Sequence, residues 1–120
     1  MKPIITIITV VKNDKNNIEK TINSIRSQSF KNYEHIIIDS NSTDGTSEII
    51  KKKLNSQTLH VRESDSGIYE GINKGIKKAN GDLVGLLHSG DIFYSKDTLR
   101  YVHNKSNKLD FLFGNIAYFK

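Results

Sequence analysis

Short apolar runs alternate along this chain with segments whose apolar residues recur at a helical period. Strands are predicted for Ile4 to Val11, His35 to Ile38, Thr58 to Arg62, Leu83 to Leu87, and a segment within Asp110 to Phe119. The first two runs are apolar or β-branched at nearly every position, which is typical of central strands covered on both faces. The third run alternates apolar and polar residues, as a half-buried strand does.

The segments between these runs have the apolar spacing of helices. Ile18, Ile22 and Ile25 share one helical face, and Asn16 with Glu19 resembles a capping box at the start of that helix. Further helices are predicted over Thr46 to Leu54, Gly67 to Ala79 and Lys96 to Asn104.

Regular alternation of strand and helix predicts an α/β fold with a mostly parallel, Rossmann-like sheet, helices on both faces and right-handed crossovers. No Pro-rich or Ser-rich linker, low-complexity tract or repeat divides the 120 residues. We therefore expect a single domain over residues 1–120, which buries roughly two-thirds of the surface that its unfolded chain exposes.

Composition excludes several classes of protein. No apolar stretch approaches the roughly 20 residues of a membrane span, the start of the chain has no signal-peptide pattern, and no Cys is present for disulfides or thiolate metal sites. These features predict a cytoplasmic protein. The net charge of +5 is interpreted mainly as solvated Lys on helix faces. The alternative is attraction to the anionic inner face of a membrane, or to an anionic donor molecule.

Nucleic acid is not expected as a partner, because the basic residues are not interleaved with aromatics. The common phosphate-binding loops are also absent. The sequence has neither the Walker pattern nor Gly-x-Gly-x-x-Gly, and Lys12 to Asn17 after the first strand contains no Gly. Gly67, Gly71 and Gly75 recur four residues apart in the third predicted helix, which favours close packing of that helix on the sheet over approach to a ligand.

Polar residues collect where the apolar runs end. Thr9 to Asn13, Asp39, Asp65 and the tripeptide Ser89-Gly90-Asp91 each close or follow a predicted strand. Because the carboxyl ends of parallel strands share one edge of the sheet, where α/β folds bind ligands, we expect these residues to form one site. Carboxylates gathered there can hold a nucleotide together with a divalent cation.

Five segments, in order, resemble the motif series of the family 2 glycosyltransferases. They are Thr6 to Asn13, Ile36 to Thr46, Glu63 to Tyr69, Ile72 to Ile76 and Leu86 to Asp91. The match covers essentially the whole chain, and its specificity comes from five motifs in the right order. The resemblance implies a GT-A fold, a nucleoside-diphosphate-sugar donor such as a UDP-sugar, a Mg²⁺ or Mn²⁺ ion and inversion at the anomeric carbon.

The resemblance also implies which residues bind the nucleotide. Thr9 and Val11 are expected to meet the base or ribose. Asp39 is expected to accept a hydrogen bond from the imide N–H of uracil, which discriminates against cytosine. The alternative for Asp39 is bonding to backbone N–H groups in the loop from Ser40 to Gly45.

Two further residues are assigned to the nucleotide. Asp65 is placed at the base or ribose edge, and a helix N-cap is the alternative, with which that role can coexist. Asn73 occupies the Asn position of the family's Arg-Asn-x-Gly element, but the Arg position is Ile72, which removes one contact to the diphosphate. Packing or helix hydrogen bonding is the alternative for Asn73.

The metal ion is assigned to the loop after the fourth strand. Asp91 lies in the family's Asp-x-Asp element, which here reads Ser89-Gly90-Asp91, so that a hydroxyl replaces the first carboxylate. Asp91 and Ser89 are the predicted ligands, and phosphate oxygens and waters complete an acceptable Mg²⁺ shell. The protein is therefore expected to bind the metal ion only weakly when the nucleotide-sugar donor is absent. The alternative is that Asp91 caps the turn, which Ser89 and Gly90 merely form.

No residue matches the family's catalytic base. An inverting transfer needs a base for the proton of the acceptor hydroxyl, and neither Asp97 nor Asp110 lies in a similar motif. The catalytic residue is therefore unknown. The chain is expected to be the donor-binding part of a glycosyltransferase, without the acceptor-binding part.

The predicted function of the parent protein is sugar transfer to a glycan or lipid-linked acceptor in surface polysaccharide synthesis. The first alternative is a non-catalytic α/β nucleotide-binding or interaction module. The second is a phosphate-binding regulator of flavodoxin-like build. Exposed apolar surface at the expected junction with the acceptor-binding part predicts a homodimer.

Overall fold

The computed structural model describes residues 2–106, and the predicted fifth strand within Asp110 to Phe119 lies outside them. The elements in order are β1 (Ile5–Val11), α1 (Ile18–Arg26), β2 (Tyr33–Asp39), α2 (Thr46–Lys52), β3 (Thr58–Arg62), α3 (Ile68–Lys78), β4 (Leu83–Leu86) and α4 (Thr98–Ser106). This alternation confirms the predicted α/β class. Over the same residues, no helix has the length and apolarity needed to cross a membrane.

The four strands form one parallel sheet in the order β3-β2-β1-β4. Val11 at the end of β1 lies opposite Asp39 on β2, which in turn lies opposite Arg62 on β3. The chain moves outward from β1 to β3 and then returns to the other side of β1. Open α/β sheets bind ligands at the carboxyl ends of the strands near such a reversal.

Alternate strand residues pack against different helices. Ile5 of β1 clusters with Ile25 of α1 and Leu99 of α4, whereas Ile8 and Ile36 belong to a separate apolar cluster on the face covered by α3. Odd-numbered residues of β1 and β2 therefore face α1, α2 and α4, and even-numbered residues face α3.

Glycine lets α3 approach the sheet closely. A Cβ on Gly75 would lie 2.6 Å from Ile8 Cγ2, and one on Gly71 would lie 2.9 Å from Val10 Cγ1. Gly67 differs, because its Cβ would have open space but its φ of +143° is one that L side chains rarely adopt. The packing interpretation is therefore confirmed for Gly71 and Gly75 and is wrong for Gly67, which allows the chain to turn into α3.

The start of α1 differs from the predicted capping box. The helix begins at Ile18, and Asn17 is the N-cap residue, without a capping hydrogen bond from its side chain. Glu19 forms an ion pair with Lys53 at 3.0 Å. The pairing of Asn16 with Glu19 is wrong because the helix starts one residue later than that motif requires.

Glu34 of β2 holds the turn that leads from α3 into β4. Its Oε2 accepts hydrogen bonds from the Thr6 hydroxyl and the Asn80 N–H, both at 2.6 Å. The Thr6 hydroxyl oxygen also accepts from the Gly81 N–H at 2.9 Å. These bonds fix the start of β4 beside β1, and thus the position of the loop at the other end of β4.

Candidate functional site

A cavity of about 380 Å³ opens at the carboxyl edge of the sheet, on the side of α3. It is lined by the end of β1, the residue after β2, the loop after β3 and the first residue of α3: Val10, Val11, Lys12, Ser40, Asp65, Ser66, Gly67 and Ile68. Its volume falls within the roughly 300 to 1,000 Å³ that is usual for ligand pockets. Of the predicted nucleotide-binding residues, Val11 and Asp65 line the cavity.

Asp65 has one satisfied and one unsatisfied carboxylate oxygen. Its Oδ1 accepts hydrogen bonds from Ser40 Oγ at 3.0 Å and from the Gly67 N–H at 3.2 Å. Its Oδ2 is buried and has no hydrogen-bond partner within the described part of the chain. A Cβ on Gly71 would lie 3.4 Å from Oδ2 and 2.9 Å from Val10 Cγ1, so Oδ2 lies where α3 meets β1, beside the cavity that Asp65 lines.

An unsatisfied buried acceptor of this kind costs about 1 to 3 kcal/mol. A ligand that brings an N–H or O–H group to Asp65 would remove that cost. The bond to the Gly67 N–H also stabilises the turn into α3. Asp65 therefore has its structural role and remains available for the predicted ligand role.

Asp39 is completely buried. Its Oδ1 accepts from the Ser42 N–H at 2.9 Å, while its Oδ2 accepts from the Ser47 hydroxyl and lies 3.0 Å from His60 Nε2. Burial raises the pKa of the Asp39 carboxyl, but the hydrogen bonds from Ser47, Ser42 and His60 outweigh burial and hold that pKa below its ordinary value. The carboxylate is therefore charged and has several hydrogen-bond partners.

The contact between Asp39 and uracil stays a prediction, and in this arrangement none of the surface of Asp39 is exposed. The alternative role is the one observed: Asp39 binds the loop that follows β2. Arg62 reinforces that loop by donating hydrogen bonds to the Ser42 carbonyl and to Ser47 Oγ, both at 2.9 Å.

Thr9 is also enclosed, with 0% of its surface exposed, and its Oγ1 lies 2.7 Å from His35 Nε2. Burial, and then the charge of Arg26, lower the pKa of His35 to about 3. The imidazole is thus neutral near pH 7. The side chain of Thr9 faces the layer of α1, whereas its neighbour Val10 lines the cavity, and the contact of Thr9 with base or ribose stays a prediction.

Asn73 is exposed on α3 and does not line the cavity. Beside it, Lys74 donates to the Ser64 carbonyl at 2.9 Å and pairs with Glu63 and Glu70 at 3.2 and 3.6 Å. Burial lowers the pKa of Lys74, but the bond to Glu63 and the charges of Glu63 and Glu70 give a net increase in that pKa. Lys74 therefore holds α3 to the loop after β3, and the nucleotide role of Asn73 stays a prediction.

Ser89 and Asp91 lie in the loop after β4, against the connection between β1 and α1. Ser89 Oγ donates to Asp14 Oδ2 at 2.9 Å. The Gly90 N–H donates to Thr21 Oγ1, and that hydroxyl donates to the Asp91 carbonyl, both at 2.8 Å. The loop is held by these bonds, while the Asp91 carboxylate makes no hydrogen bond or ion pair among residues 2–106.

The oxygen atoms of this loop suit a hard cation that is already coordinated by phosphate oxygens and waters. In the region that the structure describes, no group of three His, Cys, Asp or Glu side chains is arranged to hold a metal ion. Asp91 offers an unengaged carboxylate, and Ser89 keeps oxygen lone pairs while its proton is donated to Asp14. Mg²⁺ is usually bound by one or two carboxylates together with waters and phosphate oxygens. Asp91 and Ser89 are therefore suited to a cation bound by a diphosphate.

Ser40 also lines the cavity, although the sequence pattern predicts no ligand role for it. Its N–H donates to the Val11 carbonyl at 2.9 Å, so it continues the pairing of β2 with β1 by one residue. Side chains alternate between the two faces of a strand, and the signal that would have found Ser40 is its place one residue after Asp39.

The sequence matches the family model described as Glycosyl transferase family 2 over residues 6–120. An uncharacterized glycosyltransferase of Mycobacterium tuberculosis is 34% identical over 98 residues, covering 81% of this chain and 37% of that protein. A Bacillus subtilis protein named for teichuronic acid biosynthesis, the glycosyltransferase TuaG, is 37% identical over 101 residues, covering 82% and 40%. The chain thus spans about two-fifths of the length of these curated relatives.

Solved structures show the same fold. S. aureus TarS 1–349 in complex with UDP has a TM-score of 0.79 at 27% identity, over 88% of this chain and 32% of that chain. The complex of TarS with UDP-GlcNAc gives a TM-score of 0.77 at 26% identity, over 88% and 31%.

Proposed function

Because this chain belongs to Glycosyl transferase family 2, we propose that it is the part of a glycosyltransferase that binds the nucleotide-sugar donor. It has the GT-A type of fold that TarS also has. The observation that carries the proposal is the cavity at the carboxyl edge of the sheet, which is lined by Asp65, a residue with a buried oxygen that has no partner among residues 2–106. TarS, a structural relative, is recorded with both UDP and UDP-GlcNAc.

The cavity is assigned to the nucleoside. Val10 and Ile68 provide apolar walls for a flat ring, and Asp65 provides an acceptor for a ligand donor. Lys12 adds a positive charge beside the cavity, which favours an anionic ligand. The donor is a nucleoside-diphosphate sugar, and a UDP-sugar is the first candidate.

The diphosphate and its cation are assigned to the loop after β4. The cavity lies on the β2 side of β1, and Asp91 follows β4 on the other side. A nucleoside diphosphate extended across the end of β1 would contact both. Asp91, with Ser89, would hold Mg²⁺ or Mn²⁺, and such a cation stabilises negative charge on a departing diphosphate.

For the whole protein we propose inverting transfer of a sugar to a glycan or lipid-linked acceptor in surface polysaccharide synthesis. The relative named for teichuronic acid biosynthesis supports this class of acceptor. Residues 1–120 would supply donor binding, and the acceptor site and catalytic base would come from another part of the protein. The protein would act in the cytoplasm or at the inner face of the membrane, and its homodimer stays a prediction.

A calorimetric or NMR titration of the 120-residue chain with UDP, with and without Mn²⁺, tests this proposal. Asp65→Ala should weaken UDP binding about tenfold under both conditions, because one hydrogen bond to a charged group is lost. Asp91→Ala should remove the increase in affinity that Mn²⁺ gives and leave metal-free binding unchanged. Asp82→Ala is the matched control, because it removes an exposed carboxylate at the opposite edge of the sheet. It should change neither the metal-free affinity for UDP nor the increase that Mn²⁺ gives.

Failure of the native chain to bind UDP, or binding that neither Asp65 nor Asp91 affects, would contradict the assignment. Mn²⁺ binding that does not depend on UDP would favour the phosphate-binding regulator instead. UDP binding by a parent protein that transfers no sugar from any donor would favour the non-catalytic module.

A further inference from the structure

Ser40 fixes the orientation of Asp65. The backbone of Ser40 is held by the hydrogen bond from its N–H to Val11, and its side chain then donates to Asp65 Oδ1 at 3.0 Å. The Gly67 N–H donates to the same oxygen at 3.2 Å. Two donors therefore engage Oδ1, and Oδ2 is left without a partner in the part of the chain that the structure describes.

The loop that carries Ser40 is itself fixed by hydrogen bonds to Asp39. Asp39 accepts from the Ser42 N–H and from the Ser47 hydroxyl, so the loop is tied to the start of α2. Ser40 is only 7% exposed. The direction of its hydroxyl is thus set by the fold before any ligand enters.

We infer that Ser40 is a positioning residue that holds Asp65 so that the cavity selects nucleobases with a ring N–H group on their pairing edge. This inference rests on the proposed nucleotide site. The cavity would then prefer nucleoside diphosphates of uracil or guanine over those of cytosine or adenine.

The chemistry of the bases gives the reason. Uracil and guanine have a ring N–H at the centre of that edge, whereas cytosine and adenine have a ring nitrogen that only accepts. An acceptor nitrogen placed against Asp65 Oδ2 would leave two buried acceptors facing each other, which is unfavourable. A ribose edge alone would give no such discrimination, because all four nucleotides share it.

The test compares UDP, GDP, CDP and ADP binding to the native chain and to Ser40→Ala, Ser40→Thr and Asp65→Ala. The native chain should bind UDP and GDP at least about tenfold more tightly than CDP and ADP. Ser40→Ala should weaken UDP binding about fivefold and reduce the preference over CDP, because Asp65 loses one of its two donors. Ser40→Thr keeps the hydroxyl and should retain both properties.

A double-mutant cycle separates positioning from general damage. In the Asp65→Ala background, Ser40→Ala should have no further effect on UDP affinity, because its role is exerted through Asp65. Ser64→Ala is the matched control, since it removes an exposed hydroxyl next to Asp65 that accepts from Asn41. It should leave the preference among the four nucleotides unchanged.

The outcomes distinguish this inference from the proposed function. If the native chain binds none of the four nucleotides, both are wrong. If it binds UDP through Asp65 but binds CDP equally well, or if Ser40→Ala leaves the preference intact, the proposed function stands and this inference is wrong. Equal effects of Ser40→Ala in the native and Asp65→Ala backgrounds would also contradict it.

Discussion

Asp39 and Asp65 are carboxylates near the ends of adjacent strands, and the number of donors around each decides its role. Asp39 meets a backbone N–H, a hydroxyl and an imidazole, and it is completely buried. Among the residues that the structure describes, Asp65 meets two donors at one oxygen and none at the other. Asp39 therefore stabilises the fold, whereas Asp65 retains the capacity to bind a ligand.

Replacing Asp39 by Ala should lower the free energy of unfolding by about 3 kcal/mol, because the Ser42 N–H and His60 lose a buried charged partner. Urea denaturation at neutral pH measures this change. Asp44→Ala is the control, because Asp44 lies in the same loop but is only half-buried, and a smaller loss is expected there. If Asp39→Ala kept its stability and abolished UDP binding, the uracil contact predicted from the sequence would be right.

At the scale of elements, α3 depends on glycine where it crosses the sheet. Gly71 and Gly75 face Val10 and Ile8 with no room for a methyl group. Close packing brings the start of α3, with Ile68, to the cavity formed by the ends of β1 and β2. The same helix thus closes the core and forms a wall of the site.

Gly75→Ala should lower the free energy of unfolding by about 1 to 2 kcal/mol. The new methyl group would lie 2.6 Å from Ile8 Cγ2, and Ile8 is completely buried. The resulting strain exceeds the roughly 1 kcal/mol by which Ala favours a helix over Gly. Urea denaturation is the measurement.

Asn73→Ala on the exposed side of α3 is the matched control. It should be neutral or slightly stabilising, because Ala is the better helix former. A stable Gly75→Ala protein would show that α3 can move away from the sheet. A loss of UDP affinity in Asn73→Ala, without a loss of stability, would support the predicted nucleotide role of Asn73.

At the scale of the whole molecule, His35 makes the stability depend on pH. Its pKa is lowered from 6.5 to about 3 in the fold, first by burial and then by the charge of Arg26. Between pH 6.5 and pH 3 the unfolded chain binds a proton at His35 that the folded chain does not bind. Stability attributable to His35 is therefore complete above pH 6.5 and falls as the pH is lowered, by about 1.4 kcal/mol per pH unit.

Lowering the pH from about 7 to about 5 should thus remove about 2 kcal/mol of stability through His35. Urea denaturation at the two pH values measures the loss. The double variant Thr9→Val with His35→Leu replaces both partners of a buried hydrogen bond by apolar groups, and it should be less sensitive to pH over that range. An equal loss in the native and variant proteins would contradict the role of His35. Asp39, whose pKa is lowered, loses its contribution only at more acid pH.

The sequence was sufficient to predict the order of strands and helices. The β-branched runs indicate strands, and the spacing of Ile18, Ile22 and Ile25 indicates a helix. It also indicated that Asp65 and Val11 lie near strand ends at the ligand-binding edge of the sheet, and both line the cavity. The match to the family series rests on the same local patterns.

Only the tertiary structure decided which face of each strand belongs to the cavity. Thr9 and Val10 lie in a run that is apolar or β-branched throughout, and Asp39 and Ser40 are both polar, so neither pair shows an alternation that reveals its direction. The packing of α3 on Ile8 and Val10 sets that direction, and it puts Val10 and Ser40 at the cavity and Thr9 and Asp39 in the interior. Helices cover both faces of this parallel sheet, so burial leaves no mark in the sequence that separates one face from the other.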